Sequence, residues 1–139
     1  MDDAFALRLE DYQCENGGIV IANPNAPTGI RQSEEFLRAV IEANPNVVVI
    51  IDEAYADFSG YTALPLVDEY ENVVVVQTFS KSRSMAGMRI GYAISNPTLI
   101  KYLNDAKYSF NSYTMNQTSL VCGCLLYTSP SPRDMRRSR

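Results

Sequence analysis

Three short apolar runs constrain the fold of this 139-residue chain more than any other feature. They lie in GGIVIANP (17–24), NVVVIIDEA (46–54) and ENVVVVQTFSK (71–81). In each stretch, β-branched residues form the apolar part, and polar residues follow it directly. Continuous apolar runs of this kind predict strands that are buried on both faces, as in parallel sheets covered by helices.

The segment between the first two runs has the pattern of an amphipathic helix. In RQSEEFLRAVIEAN (31–44), Ser33 is in the position of an N-cap, and Glu34 and Glu35 follow in the first turn, where carboxylates interact favourably with the helix dipole. Apolar residues at helical spacing share one face of this segment: Phe36, Leu37, Val40 and Ile41. The segment therefore predicts a helix with one apolar face.

The later part of the chain predicts a further strand and a further helix. RIGYAIS (89–95) has the composition of a strand, and Asn96 with Pro97 marks the start of a helix that extends to roughly Phe110. Four of its apolar residues are expected to face inward: Leu99, Ile100, Leu103 and Ala106. The connection 55–70 contains too many Gly, Pro and Asp signals to predict one single element.

The order strand, helix, strand predicts an α/β fold with a mostly parallel sheet. In such a sheet, ligands bind beyond the carboxyl ends of the strands. Three of the predicted strands run out into polar residues at that edge, in NPNAPTG (23–29), DEAY (52–55) and QTFSK (77–81). An amide, a carboxylate, a phenol, hydroxyls and an amine are therefore expected to converge in one place.

The chain contains no histidine, and this excludes Ser-His-Asp and Cys-His catalysis and most transition-metal sites. Its three cysteines, Cys14, Cys122 and Cys124, form no C-x-x-C pair, so neither a disulfide framework nor a zinc site is indicated. Catalysis would therefore depend on lysine, carboxylates, tyrosine or a cofactor, and no metal is expected.

The charge distribution separates an acidic body from a short basic tail. The net charge is −4, but residues 127–139 carry four arginines and one aspartate, or +3, which leaves −7 for residues 1–126. An acidic body is not expected to bind nucleic acid. We expect one domain over residues 1–124 and a disordered tail over 125–139, where the abrupt change in composition favours foreign sequence joined to a truncated gene over a native tail.

The apolar runs are too short to cross a membrane. The longest, VVVII and VVVV, are far below the ~18 residues that a membrane helix needs, and the start MDDAFALRLED lacks the basic and apolar regions of a signal peptide. We therefore expect a cytoplasmic protein with no membrane partner.

The groups at the predicted edge match the needs of pyridoxal phosphate. This cofactor requires a lysine amine for a Schiff base, a carboxylate that keeps the pyridine nitrogen protonated, and cations and hydroxyls that hold its phosphate. Lys81 and Asp52 can fill the first two roles, and Tyr55 can hydrogen-bond the ring hydroxyl. The phosphate set consists of Thr78, Ser80 and Arg89. Each of these residues alone is typical of a protein surface or strand end, and it is their joint order that indicates a site.

Three motifs in this order, NPNAPTG, DEAYADF and TFSKSRSMAGMRIGY, resemble the pyridoxal-phosphate aminotransferases of fold type I, and most closely the histidinol-phosphate aminotransferases of histidine biosynthesis. The resemblance covers roughly residues 1–123. It implies part of a three-layer α/β/α large domain, from a homodimeric enzyme in its complete form. It also implies amino-group transfer between a small-molecule donor, histidinol phosphate, and a 2-oxo acid acceptor, 2-oxoglutarate.

The resemblance also implies a role for each site residue. Lys81 would be the Schiff-base lysine that moves a proton between the substrate α-carbon and the cofactor. Asp52 would pair with the pyridinium nitrogen, and Tyr55 would bind the ring hydroxyl. The cofactor phosphate would be bound by Thr78, Ser80 and Arg89.

One position departs from the family pattern. The family has Asn directly before Pro-Thr-Gly, where it binds the ring hydroxyl, whereas this chain has Ala26 there. We assign this role to Asn25, since a one-residue shift of the backbone would let it reach, and Asn23 is the alternative.

Other functions remain open on the sequence alone. A phosphothreonine decarboxylase or an aminotransferase for another amino acid would use the same cofactor chemistry. A non-catalytic, truncated cofactor-binding fragment is the alternative from another class, because the family enzymes are longer than this chain and carry their substrate-binding arginine in a segment that is not recognisable here. A nucleotide-binding module is disfavoured, since neither G-x-x-x-x-G-K-[ST] nor G-x-G-x-x-G is present.

Overall fold

A computed structural model describes residues 5–128 of the chain. The strands and helices follow one another as β1 (Ile19–Ala22), α1 (Glu34–Ala43), β2 (Val49–Asp52), α2 (Ala56–Ser59), α3 (Leu64–Glu69), β3 (Val73–Thr78), β4 (Gly91–Ile94), α4 (Pro97–Phe110) and α5 (Gln117–Thr128). Two short 3-10 helices, Leu9–Tyr12 and Ala86–Met88, lie before β1 and before β4.

The four strands form one sheet in the order β1-β2-β3-β4. The first three strands are parallel, with Ala22 opposite Asp52 and Asp52 opposite Val76, whereas β4 runs antiparallel to β3. All four predicted strands are present, and the predicted α/β fold with a mostly parallel sheet is confirmed. The carboxyl ends of β1, β2 and β3 lie side by side.

Helix α1 has the predicted cap and the predicted buried face. The Ser33 hydroxyl accepts a 3.2 Å hydrogen bond from the Phe36 backbone N–H, which satisfies a donor at the helix start that has no partner within the helix. The side chains of Leu37, Val40 and Ile41 are buried against the sheet. A local signal, the cap followed by apolar residues at helical spacing, therefore predicted this helix correctly.

The hydrophobic core lies on one face of the sheet. Side chains alternate between the two faces of a strand, and on this face they meet helices α1 and α3. The buried residues of this cluster are Ile19, Ile21, Leu37, Val40, Ile41, Val49, Ile51, Ala63, Leu66, Val73 and Val75. Glu53 and Gln77 follow the same alternation and lie on the core face of β2 and β3.

The opposite face of the sheet is covered unequally. Val20 of β1 is 68% exposed, whereas Val74 of β3 is 3% exposed. Ile100 of α4 lines a cavity together with Gly91 and Ala93 of β4, which places α4 over the β4 end of this face. The expectation of strands buried on both faces is therefore wrong for β1, because no described element covers Val20.

Helix α4 begins and ends where it was predicted, but its expected inward face is not packed. Asn96 caps it by accepting a 3.0 Å hydrogen bond from the Leu99 N–H. Leu99 and Ile100 are half-buried, whereas Leu103 is 42% exposed and Ala106 is exposed. The predicted burial of the last two residues is wrong, since no described element packs against the second half of α4.

Two further segments differ in detail from the sequence patterns. The connection 55–70 contains two short helices, α2 and α3, separated by Gly60 in the left-handed conformation. Helix α5 continues to Thr128, four residues beyond the domain boundary predicted at 124. The rest of the predicted tail, 129–139, lies outside the described residues. Within residues 5–128, no helix is long and apolar enough to span a membrane.

Candidate active site at the carboxyl edge of the sheet

Asp52 and Thr78 lie on the same face of the sheet at its carboxyl edge. Ile51 is buried in the core, so Asp52, the next residue, is on the opposite face. Val76 is paired with Asp52, and Thr78, two residues later, is on the face that they share. Asp52 is half-buried, and its Oδ1 accepts a 3.0 Å hydrogen bond from the Ala54 N–H. The remaining carboxylate oxygen gives this edge an acceptor on the same face as the Thr78 side chain.

Lys81 and Tyr55 contact each other at this edge. Lys81 Nζ lies 5.1 Å from the centroid of the Tyr55 ring. Lys81 belongs to the exposed turn after β3, which is closed by hydrogen bonds from Ser84 N–H to Lys81 O (3.0 Å) and from Met85 N–H to Phe79 O (2.9 Å). The turns after β2 and β3 therefore bring together two predicted site residues that are 26 positions apart.

Thr78 and Ser80 form a pair of hydroxyls. Their oxygens are 3.0 Å apart, and Thr78 Oγ1 also accepts from the Ser80 N–H (3.1 Å). Thr78 donates to the backbone carbonyl of Ile90, at 3.2 Å. Both side chains are half-buried. The Ser80 hydroxyl, and the Thr78 hydroxyl once it gives up the Ile90 carbonyl, are suitable donors for a phosphate group.

The backbone of Arg89 is next to these hydroxyls, but its guanidinium is bonded elsewhere. Arg89 has a φ of 56° and directly precedes Ile90, the residue that Thr78 contacts. Its Nη1 donates a 3.0 Å hydrogen bond to the carbonyl of Ala86. The side chain is exposed, and this hydrogen bond places one guanidinium nitrogen at the Ala86 carbonyl and not at the two hydroxyls.

The two candidate amides lie in different environments. Asn25 lines a cavity of about 470 Å³ that Ala26 and Tyr55 also line, and its Nδ2 donates to Thr28 Oγ1 at 2.8 Å. Asn23 is 1% exposed, its Oδ1 accepts from the Gln32 N–H at 2.7 Å, and its Nδ2 has no hydrogen-bond partner. Asn25 therefore lines the same cavity as Tyr55, whereas Asn23 is buried and bonded to the backbone of Gln32.

Sequence reasoning missed a buried carboxylate beneath the site. Glu53 is 3% exposed and accepts three hydrogen bonds. The donors are the Ala63 N–H (2.5 Å), the Thr62 hydroxyl (2.7 Å) and Gln77 Nε2 (2.7 Å). The alternation of strand side chains contained the signal, because the residue after Asp52 had to lie on the core face.

A second set of contacts joins helix α2 to the turn that carries Lys81. Asp57 accepts a hydrogen bond from the Ser82 hydroxyl, and its Oδ2 lies 3.8 Å from Arg83 Nε. The guanidinium of Arg83 stacks on Phe79, at 4.6 Å from the ring centroid. No sequence signal distinguished Asp57 from an ordinary surface carboxylate.

Taken together, these donors and acceptors fit one kind of ligand. An amine, a carboxylate, a phenol and a pair of hydroxyls share one edge, and they suit a molecule with an aldehyde, a basic ring nitrogen, a ring hydroxyl and a phosphate. Pyridoxal phosphate has all four groups. Thr78 and Ser80 would hold its phosphate, Asp52 its ring nitrogen and Lys81 its aldehyde.

Comparison with known proteins agrees with this chemistry. The family described as "Aminotransferase class I and II" matches residues 2–127. The histidinol-phosphate aminotransferase of Pseudomonas putida (strain W619) is 49% identical over 121 residues, which are 87% of this chain and 35% of that protein. The chain thus spans about a third of the length of the curated relatives that it matches.

Solved structures show the same fold. The histidinol-phosphate aminotransferase of Clostridium acetobutylicum matches with a TM-score of 0.73 and 25% identity, over 83% of this chain and 36% of that one. The histidinol-phosphate aminotransferase of Sinorhizobium meliloti, solved in complex with pyridoxal-5'-phosphate, matches with a TM-score of 0.64 and 26% identity, over 74% of this chain and 28% of that one.

Proposed function

The chain belongs to the class I and II aminotransferase family, and we propose that it forms the cofactor-binding part of a pyridoxal-phosphate-dependent histidinol-phosphate aminotransferase. The observation that carries this proposal is the contact between Lys81 Nζ and the Tyr55 ring, 5.1 Å apart, at the edge where Asp52 and Thr78 share one face. An amine at the carboxyl edge of the sheet, where a carboxylate and hydroxyls also lie, is suited to covalent chemistry with a carbonyl.

Pyridoxal phosphate, when bound, supplies an aldehyde that condenses with amines and a ring that accepts an electron pair. Lys81 would hold the cofactor through Nζ, and as a free amine the same nitrogen would move a proton to and from the α-carbon of the substrate. Asp52 would keep a proton on the ring nitrogen, because a carboxylate close to a base stabilises its charged form. The half-buried position of Asp52 strengthens this interaction relative to one in bulk water.

The other residues would orient the cofactor. Tyr55 would donate a hydrogen bond to the ring hydroxyl, and Asn25, which lines the same cavity as Tyr55, would bind the same group. Thr78 and Ser80 would donate to the phosphate. Arg89 would join them once its guanidinium leaves the carbonyl of Ala86.

The substrates that we propose are small molecules. Histidinol phosphate would be the amino-group donor and 2-oxoglutarate the acceptor, so that the donor leaves with a carbonyl in place of its amine. The names of the curated relatives support this choice. We further propose a homodimer for the complete protein and a cytoplasmic location, with neither nucleic acid nor a membrane as partner.

Covalent trapping on the 139-residue chain tests the role of Lys81. Only three lysines are present, Lys81, Lys101 and Lys107, so the site of attachment can be read from one peptide map. After incubation with pyridoxal phosphate and reduction with borohydride, mass spectrometry should find the adduct preferentially on Lys81. Lys101→Ala should keep this adduct and Lys81→Ala should lose it.

Equal labelling of all three lysines would contradict the proposal.

To test the substrate, 2-oxoglutarate consumption is measured in the complete protein with histidinol phosphate as donor. Release of carbon dioxide from threonine O-3-phosphate, without consumption of 2-oxoglutarate in the presence of histidinol phosphate, would indicate the related decarboxylase.

A further inference from the structure

Two sets of contacts join residues 55–57 to residues 81–83. Lys81 lies over the ring of Tyr55, and two residues further along both segments Asp57 contacts Arg83. Between them, the Ser82 hydroxyl donates a hydrogen bond to the Asp57 carboxylate. The turn that carries the lysine is therefore attached to Asp57 of α2 and to Tyr55, the residue directly before α2.

The contact through Asp57 is the better anchored of the two. Arg83 is held on its other side by aromatic rings, with its guanidinium carbon 4.6 Å from the centroid of Phe79 and 5.7 Å from that of Tyr92. Phe79 is 5% exposed and packs edge-on against Tyr92 at 5.7 Å. The Asp57 carboxylate thus connects α2 to Arg83, whose guanidinium packs on the buried ring of Phe79.

The contact of Lys81 itself is weak by comparison. Lys81 is exposed and Tyr55 is only half-buried, so their contact gains little while the lysine loses the freedom of four rotatable bonds. Within the turn, two backbone hydrogen bonds hold its shape, those of the Ser84 and Met85 N–H groups. These bonds close the turn on itself, and neither of them ties it to α2.

We propose that Asp57 is a positioning residue for Lys81, which it keeps over Tyr55 by holding Ser82 and Arg83 against α2. The importance of this position rests on the proposed function, in which Lys81 holds the cofactor. Asp57 touches neither the cofactor nor the substrate in this role. It acts through the backbone of the turn, because displacement of Ser82 displaces the residue bonded to it.

Amide hydrogen exchange of the 139-residue chain tests the attachment without any cofactor. In Asp57→Ala, exchange at the Ser84 and Met85 amides should rise about tenfold, since the turn opens more often once its link to α2 is lost. Ser82→Ala removes the donor of the hydrogen bond to Asp57 and should also raise exchange at these two amides. Asp57→Asn should give a smaller rise, because its amide oxygen still accepts from Ser82 while the charge opposite Arg83 is gone.

The matched control removes a carboxylate ion pair elsewhere. Asp105 pairs with Lys101 at 2.6 Å on the surface of α4, and Asp105→Asn should leave exchange at Ser84 and Met85 unchanged. The core amide of Ile51 reports general loss of stability, and it should exchange at the unsubstituted rate in every variant. If Asp57 only stabilised the fold as a whole, Asp57→Ala would raise exchange at Ile51 as well.

Trapping then connects the turn to the chemistry of Lys81. With pyridoxal phosphate and borohydride, the share of adduct on Lys81, relative to Lys101 and Lys107, should fall several-fold in Asp57→Ala and recover in part in Asp57→Asn. The lysines of α4 serve as internal references, because their contacts do not involve α2.

Two results would overturn the proposal. One is unchanged exchange at Ser84 and Met85 in both Asp57→Ala and Ser82→Ala. The other is faster exchange with an unchanged share of adduct on Lys81, since the turn would then move without consequence for the lysine. Absence of any preference for Lys81 in the unsubstituted chain would instead contradict the proposed function, and the exchange data would still decide whether Asp57 holds the turn.

Discussion

Gln77 Nε2 donates a 2.7 Å hydrogen bond to the buried carboxylate of Glu53, and this bond joins the ends of two neighbouring strands beneath the candidate site. Glu53 directly follows Asp52, and Gln77 directly precedes Thr78. Asp52 and Thr78 lie on one face of the sheet, while Glu53 and Gln77 are bonded to each other on the core face. The bond between Glu53 and Gln77 therefore links the two strand ends that carry Asp52 and Thr78.

Glu53→Ala should lower the free energy of unfolding by about 3 kcal/mol, because it leaves three donors without an acceptor in a buried place. The donors are Ala63 N–H, the Thr62 hydroxyl and Gln77 Nε2. Urea unfolding followed by circular dichroism measures the change. Glu42→Ala, which removes an exposed carboxylate bonded to Tyr70 at 2.6 Å, is the control and should cost less than about 1 kcal/mol. Equal losses would show that Glu53 is not a buried acceptor.

Asn25→Ala should weaken binding of pyridoxal phosphate about tenfold, which corresponds to the loss of one hydrogen bond to the ring hydroxyl. Thr28→Ala is the matched control, since it removes the partner of the Asn25 amide (2.8 Å) and leaves the amide itself in place. Its effect on affinity should be within about twofold of the unsubstituted chain. If both variants lose affinity equally, Asn25 acts through the turn and the assignment is wrong.

Tyr61 should make the protein less stable in alkali. Burial raises the pKa of its hydroxyl to about 12 from 10.0, so the native state keeps a proton that the unfolded state releases. Ionisation of Tyr61 leaves the free energy of unfolding unchanged below pH 10. It lowers the free energy of unfolding as the pH rises from 10 through about 12. Thermal unfolding between these values should show the decline, and Tyr61→Phe should reduce it.

The same variant has a second expected effect at neutral pH. The Tyr61 hydroxyl is buried without a hydrogen-bond partner, and an unpaired buried hydroxyl costs free energy. Tyr61→Phe should therefore leave the stability unchanged or raise it by up to about 1 kcal/mol. A loss of stability in urea unfolding at neutral pH would mean that the hydroxyl has a partner in solution.

Ser33→Ala should destabilise the chain by about 1 kcal/mol, because the Phe36 N–H loses its acceptor at the start of α1. Ser33→Asp should retain most of the stability, since aspartate is an equally good N-cap. Urea midpoints of the two variants provide the comparison. Equal loss in both would show that the cap contributes nothing.

The extent to which the sequence predicted the site differs from residue to residue. The order of the motifs located Lys81, Asp52 and Tyr55 at neighbouring strand ends, and the structure brings Lys81 onto Tyr55. The roles of the site residues stay predictions until the cofactor is trapped. Arg89 was grouped with Thr78 and Ser80, whereas its guanidinium is bonded to the carbonyl of Ala86. The position of a long side chain depends on its surroundings, which no sequence pattern records.

The sequence by itself determined the strands, the capped helices α1 and α4 and the order of the motifs along the sheet edge. These features follow from hydrophobic spacing, capping residues and turn residues, all of which act over a few positions. Tertiary structure alone decided that Glu53 bonds to Gln77, that Asp57 contacts Ser82 and Arg83, and that the second half of α4 is left exposed. Such contacts join residues far apart in the chain, so they depend on the pairing of strands and on which elements are present to cover each surface.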